Sequence, residues 1–335
     1  MKKYNVAVVG ATGLVGRTFL RVMEEYSFPV DGVKLFASER SVGSKVPFFA
    51  KEYAILPLEK DLCNGVDVAF FSAGSEVSDK FAPVFVANGA LVIDNSSRWR
   101  MDDGIPLIVP EINADDYSGG GIIANPNCGV IQCVLPLFPL KKYGLKRVTY
   151  VTFQAVSGSG MKGIEDLKRA KNGGKCVFYP YDISLTCIPE IGSPVSGGYT
   201  SEEKKMADET RKILHLPDLK VSATCVRVPV ENCHGVCVSA EFERRVSPSV
   251  AREEIKRQAG VEVIDDVSAG KYPVSTLTAG KDEVFVGRIR EDPSCENGIV
   301  FWCVADNVRK GAASNAVQIA ALLAEKGMIR RGQSR

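Results

Sequence analysis

The feature that most restricts this chain's fold lies near its start. Residues 6–9 form an apolar run that passes directly into Gly10-Ala11-Thr12-Gly13-Leu14-Val15-Gly16 and then into an amphipathic stretch ending at Glu25. A buried strand, a glycine turn and a helix in immediate succession open a doubly wound α/β (Rossmann-type) domain. The glycines let the backbone turn tightly and approach a pyrophosphate that rests on helical N–H groups. The spacing is G-x-x-G-x-x-G, and residues 10–16 are the expected phosphate cradle. Further apolar runs at 33–37, 66–71 and 90–93, with a helix read at 76–88, continue the alternation. It predicts a mostly parallel sheet covered on both faces.

The end of the second strand declares the cofactor. An acid there would hold a ribose 2′-hydroxyl; this chain reads Ser38-Glu39-Arg40-Ser41, in which Glu39 argues for NAD and Arg40 for NADP. A planar guanidinium between two hydroxyls suits a 2′-phosphate, so NADP is expected, with Ser38, Arg40 and Ser41 as its contacts. Ser72, Ala73 and Gly74, directly after the run at 66–71, are placed with the cofactor as well.

A length of 335 residues predicts two domains. Beyond residue 145 the pattern changes to long strands at 148–156, 221–230, 235–242, 283–289 and 299–305. Helices are read among them at 162–171, 201–214 and 248–258. Strands in succession with inserted helices predict an α+β second domain on a mixed sheet. The last periodic segment, 309–326, reads as a helix packing back on the first domain. The expected division is 1–128 plus 309–335 for the cofactor domain and 129–308 for the catalytic and oligomerisation domain.

Net charge is +2, from 42 basic and 40 acidic residues, which gives no reason to expect nucleic acid or an anionic membrane as partner. The run after Met1-Lys2-Lys3-Tyr4 is too short for a signal-peptide core, and no window approaches the ~18 apolar residues of a membrane span. Ten cysteines without an export signal suit a cytoplasm. Cys233, His234 and Cys237 lie close together, but Cys-x-x-Cys pairs are absent and histidines number two, so no metal is expected.

One thiol stands apart. In ANPNCGVIQC, residues 124–133, Cys128 opens a segment read as a helix from about Gly129 to Tyr143. Helix N-termini lower a thiol's pKa from its usual ~8.5, and their open N–H groups suit an oxyanion. Such a thiol needs partners. His234 and Arg227, seven positions apart, are the candidates.

Five motifs then agree in order. ANPNC, SATCVRVPV with a histidine seven residues after its arginine, DNSSRWRMDDGIPLIVPEIN, Gln154-Ala155-Val156-Ser157-Gly158 and Asp306-Asn307-Val308-Arg309-Lys310-Gly311-Ala312-Ala313 together resemble the aspartate-β-semialdehyde dehydrogenase family. The resemblance runs from residue 4 to about 325. It implies a reversible, NADP-linked reductive dephosphorylation of L-aspartyl 4-phosphate to L-aspartate 4-semialdehyde, in the biosynthesis of lysine, methionine, threonine and diaminopimelate. By the same resemblance Cys128 is the nucleophile that forms a thioacyl-enzyme, His234 the general acid/base, and Gln154 the residue orienting the reacting carbonyl.

Arg227 then takes the substrate carboxylate, Glu202 its amine and Lys205 and Arg100 its phosphate, with Asn127 also at the substrate. Ser157, Gly158 and Asn315 are placed near the nicotinamide. Homodimers or homotetramers are implied. Thr200 and Glu203 independently read as a helix capping box. Two departures stand out. The chain has Cys233-His234-Gly235-Val236 where the family commonly has Gly-His-Ser-Glu, and Arg98 adds a second cation beside Arg100. The nearest rival is N-acetyl-γ-glutamyl-phosphate reductase, and Glu202 and NPNC favour the aspartyl substrate. A redox sensor built on Cys128 and Cys133 leaves Arg227, His234 and Lys205 unexplained.

Overall fold

The computed structural model describes residues 2–330. They form two compact units, one up to Pro126 together with the chain from Ala312 onward, the other Asn127–Gly311. The first unit contains β1 (Tyr4–Val9), α1 (Leu14–Glu25), β2 (Val30–Ala37), β3 (Lys45–Phe48), β4 (Lys51–Pro57), β5 (Val68–Phe71), α2 (Ser75–Ala87), β6 (Leu91–Asp94), α3 (Pro110–Asn113) and β7 (Ile122–Ala124). Its sheet has the order β3-β4-β2-β1-β5-β6-β7. Every pair is parallel except β3 with β4, as the alternating sequence predicts. All four residues of β5 and of β6 are buried, which is why those runs are continuously apolar.

The edge hairpin β3–β4 has no counterpart in the sequence reading. Its two turn residues, Phe49 (φ 44°) and Ala50 (φ 58°), adopt left-handed backbone conformations without glycine.

The second unit contains α4 (Cys128–Leu137), β8 (Leu145–Gln154), α5 (Met161–Lys171), α6 (Ser201–Leu214), β9 (Lys220–Arg227), β10 (His234–Phe242), α7 (Pro248–Arg257), β11 (Val261–Val263), α8 (Ser275–Thr278), β12 (Val284–Asp292) and β13 (Gly298–Ala305). Its sheet, β11-β12-β13-β10-β8-β9, is mixed: β8–β9 and β11–β12 are parallel and the other neighbours antiparallel. Helix α4 stops at Leu137, short of the expected Tyr143, and continues as a 3-10 turn over Phe138–Tyr143. Pro139 has no N–H to extend the α-helical ladder. Strand β9 likewise ends at Arg227 rather than 230, ahead of Pro229. Helix α6 carries the expected capping box: Thr200 accepts from the Glu203 N–H while Glu203 accepts from the Thr200 N–H.

A π-helical turn, Arg309–Ala313, precedes α9 (Ser314–Glu325), where one continuous helix is expected from the sequence. Helix α9 packs on α1 and α3. There Ala316, Val317 and Ala320 join Val8, Phe19, Phe70 and Ile93 in the first unit's core.

Candidate active site

Strand parity gathers the site. Side chains alternate faces along a strand, and on β8 the residues Val148, Tyr150, Thr152 and Gln154 are buried while Phe153 is 39% exposed. Ala223, Cys225 and Arg227 on β9, and His234, Val236 and Val238 on β10, share that covered face. The parallel register sets Gln154 beside Arg227, and the antiparallel register sets Phe153 beside Gly235. Three adjacent strand ends therefore bring Gln154, Arg227 and His234 to one edge of one face.

The thiol reaches that edge from α4. Asn127 caps the helix, its side-chain oxygen accepting from the Gly129 N–H at 2.8 Å, a contact worth about 1 kcal/mol. Cys128, the first helical residue, is half-buried, and its Sγ lies 3.3 Å from His234 Nε2. The His234 ring is fully buried, and its Nδ1 accepts the Ala155 backbone N–H at 3.0 Å. Burial first, then the Arg227 guanidinium, hold its pKa well below 6.5, so the ring is neutral. Arg227, also buried, donates from Nη1 to the Ala155 carbonyl at 2.6 Å.

Helix α6 supplies acidic side chains from two turns of one face. Glu202 Oε1 accepts from Asn127 Nδ2 at 2.9 Å and Gln154 Nε2 at 3.3 Å, while its Oε2 pairs with Lys205 Nζ at 3.3 Å. Seven residues on, the buried Glu209 accepts the Asn127 backbone N–H at 2.6 Å. Glu209 is absent from the sequence reading, since in EEKKMADETRKIL it reads as one more helix carboxylate. Its spacing from Glu202, two helical turns, was the available signal.

Ser157 is buried between Asn232 and Asn307, its hydroxyl 3.1 and 3.2 Å from their side-chain oxygens. Gly158 is exposed. Gly311, on the π-helical turn, packs against Cys128. Cys233 is buried, and that burial pushes its thiol up to about 12. Cys237 lies on the opposite, half-open face of β10 from His234. Among the described residues no group of three or more His, Cys, Asp or Glu side chains is placed to hold a metal ion.

In the first unit, helices α1 and α2 both begin on a glycine, Gly13 and Gly74, without a side-chain cap. Their first N–H groups are left for an anion. Gly16 has no substitute: a β-carbon there would stand 2.1 Å from the Gly10 carbonyl oxygen. Thr12 Oγ1 lies 3.4 Å from Ser41 Oγ, while Ser38 and Arg40 are exposed at the end of β2. The buried Ser72 Oγ, next to Gly10, has no hydrogen-bond partner among the described residues. A cradle of open amides and an orphaned hydroxyl fits a dinucleotide phosphate.

Asn315 is fully buried, and its amide donates to the Ile108 carbonyl at 3.0 Å and to Asn125 Oδ1 at 2.8 Å. Arg100 is buried and donates to the Asn95 carbonyl at 2.9 Å. Arg98 is paired with Asp79 and with Asp102 (2.8 Å) and lies over the Trp99 ring.

A thiol on a helix N-terminus beside a neutral imidazole, in a chain whose other unit is wound for a dinucleotide, belongs to the class of nicotinamide-dependent oxidoreductases. Residues 5–119 match the family description "Semialdehyde dehydrogenase, NAD binding domain", and residues 135–310 match "Semialdehyde dehydrogenase, dimerisation domain". An aspartate-semialdehyde dehydrogenase of Aquifex aeolicus is 51% identical over 97% of this chain and 99% of its own. The crystal structure of aspartate semialdehyde dehydrogenase II from Vibrio cholerae complexed with ASA superposes with a TM-score of 0.92 at 41% identity, covering 97% of this chain and 99% of that one. That of the Candida albicans enzyme with NADP gives 0.78 at 25% identity, covering 98% and 100%. The chain belongs to the aspartate-semialdehyde dehydrogenase family.

Proposed function

We propose that this chain catalyses the reversible NADP-linked conversion of L-aspartyl 4-phosphate to L-aspartate 4-semialdehyde and phosphate, a step toward lysine, methionine, threonine and diaminopimelate. The observation that carries this reading is the 3.3 Å approach of Cys128 Sγ to His234 Nε2 at the start of α4. Cys128 attacks the acyl carbon and holds the thioester. Gln154, anchored on Glu202, orients the carbonyl, and the Arg227 fork takes the substrate carboxylate. Glu202 faces the substrate ammonium with Asn127 beside it, and Lys205 takes the phosphate.

Of the two arginines considered for phosphate, Arg100 is the choice, because Arg98 is already committed to two carboxylates. When bound, the reduced nicotinamide supplies the hydride. The preference for NADP over NAD rests on Ser38, Arg40 and Ser41 and on the NADP-bound relative from Candida albicans.

A homodimer is proposed as the working unit. The match to a dimerisation domain supports self-association. So does the second sheet's open face, where Phe153 and Trp302 lie with ring centroids 5.6 Å apart beside Tyr272 in a half-open apolar groove. Ten cysteines without a disulfide among the described residues suit the cytoplasm. Among the described residues no helix is long and apolar enough to cross a membrane.

The deciding assay follows nicotinamide absorbance with aspartate semialdehyde or N-acetylglutamate semialdehyde, each in phosphate with NADP or NAD. Turnover with the aspartyl substrate and NADP is expected. Preference for the acetylated substrate overturns the assignment, and full activity after complete alkylation of Cys128 overturns the thioacyl route.

A further inference from the structure

The additional cation at residue 98 is engaged with a helix. Arg98 pairs with Asp79 of α2 and, at 2.8 Å, with Asp102, and its guanidinium lies 4.1 Å from the centre of the Trp99 ring. The Trp99 indole N–H donates to the buried Ser78 Oγ at 2.8 Å, and Ser97 Oγ stands 3.2 Å from Ser75 Oγ. Ser75, Ser78 and Asp79 are spaced i, i+3 and i+4, so they form one stripe of α2. Residues 97, 98 and 99 are therefore all seated on one face of that helix, and Arg100 comes next. The seat is braced from below as well. Ser96 Oγ donates to Asp94 Oδ2 at 2.5 Å and accepts the Arg98 backbone N–H at 3.2 Å. Arg100 itself is buried and turns back to the Asn95 carbonyl, so its guanidinium is held by the loop that the clamp fixes.

We propose that Arg98 and Trp99 are positioning residues that clamp the 95–102 loop onto α2 and so hold Arg100 ready for phosphate, with Arg98 itself making no contact to the anion. This deepens the proposed function and rests on its assignment of Arg100 to phosphate. Two carboxylates already offset the charge of Arg98, which leaves it little to offer an incoming anion. An arginine on a loose loop would have to be ordered each time phosphate binds. A loop clamped on folding is ordered beforehand, and that difference appears as affinity.

The sign of one substitution decides between clamp and ligand. Asp79→Ala removes a negative charge from an exposed position and releases Arg98, so an arginine that binds phosphate would bind it more tightly. The clamp predicts the reverse. Phosphorus NMR titration of inorganic phosphate into the NADP complex, at constant ionic strength, reads the dissociation constant without turnover. Asp79→Ala is expected to raise it about two- to fivefold, the range an exposed ion pair supplies. Trp99→Phe, which keeps the ring and loses the N–H, should raise it about three- to tenfold. Arg98→Ala combined with Trp99→Phe should give less than the product of the single effects, because the two side chains touch. The dissociation constant for NADP should stay within about twofold throughout, as a local clamp requires. Tighter phosphate binding in Asp79→Ala, unchanged binding in all three variants, effects of Arg98 and Trp99 that multiply, or an equal loss of NADP affinity overturns the proposal. Arg100→Ala tests the premise separately. Unchanged phosphate binding in that variant removes Arg100 from the phosphate site and the clamp's role with it, whatever the aspartyl-phosphate assay shows.

Discussion

Gly311 stands so close to Cys128 that a β-carbon added to it would lie 2.7 Å from the cysteine's Cβ and 3.2 Å from its Cα. Its N–H reaches back to the Asp306 carbonyl at 3.0 Å, the five-residue step of a π-helical turn. A methyl group at 311 must push Cys128 or the turn aside. Gly311→Ala is therefore expected to lower kcat by about 10²-fold, the usual effect of a displacement near 1 Å. Steady-state kinetics and the rate of Cys128 alkylation check this. Unchanged values in both would mean that the turn yields without moving the thiol.

Glu209 anchors Asn127, the residue before Cys128. Its carboxylate accepts the buried Asn127 N–H at 2.6 Å. Glu209→Ala leaves that donor unsatisfied, at a cost of about 1–3 kcal/mol, whereas Glu209→Gln keeps an oxygen in reach. Urea unfolding should show the loss in the alanine variant and a smaller one in the glutamine variant. The drop in kcat should follow the same order, with KM less affected. Equal kcat in wild type and both variants would remove Glu209 from the positioning of Cys128.

The parts legible in the sequence are those governed by local rules. Strand β1 with its glycine turn and helix α1, and the capping box of α6, follow from periodicity and N-terminal chemistry. Cys128, Arg227 and His234 stand out from the residues and Gln154, Glu202 and Lys205 through the family resemblance, and all six stand in one unit with short contacts among them and to Ala155. What escaped depends on context. The β3–β4 turn uses Phe49 and Ala50 where a sequence signal needs glycine or asparagine. The π-helical turn at 309–313 has the composition of a plain helix. Glu209 stands two helical turns from Glu202, but only its contact with the Asn127 N–H sets it apart from the other carboxylates of that helix.

Acid should weaken the fold through His234. Burial and Arg227 keep the folded ring neutral well below 6.5, while in the unfolded chain it titrates near 6.5. Below about pH 6.5 the unfolded state takes up a proton that the folded state refuses, so stability is full above that value and falls as the pH drops. The urea midpoint is expected to be lower at about pH 5.5 than at about pH 7.5. The gap should narrow in His234→Asn, which carries no titrating ring. A gap of undiminished size in that variant would assign the acid sensitivity to other groups.

Cofactor choice should turn on Arg40. Its side chain is exposed at the end of β2, between Ser38 and Ser41, in the place where an NAD enzyme carries an acid. A guanidinium there gains charge-assisted hydrogen bonds to a 2′-phosphate, each worth roughly 1.5–3 kcal/mol, and offers little to a bare ribose. Arg40→Ala is therefore expected to raise the KM for NADP by about 10- to 100-fold while leaving that for NAD nearly unchanged. Since Arg40 is exposed, thermal stability should stay within about 0.5 kcal/mol of wild type. Parallel titrations with the two cofactors separate the cases. An equal rise for both would mean that Arg40 acts on the shared part of the dinucleotide, and no rise for either would place the 2′-phosphate elsewhere.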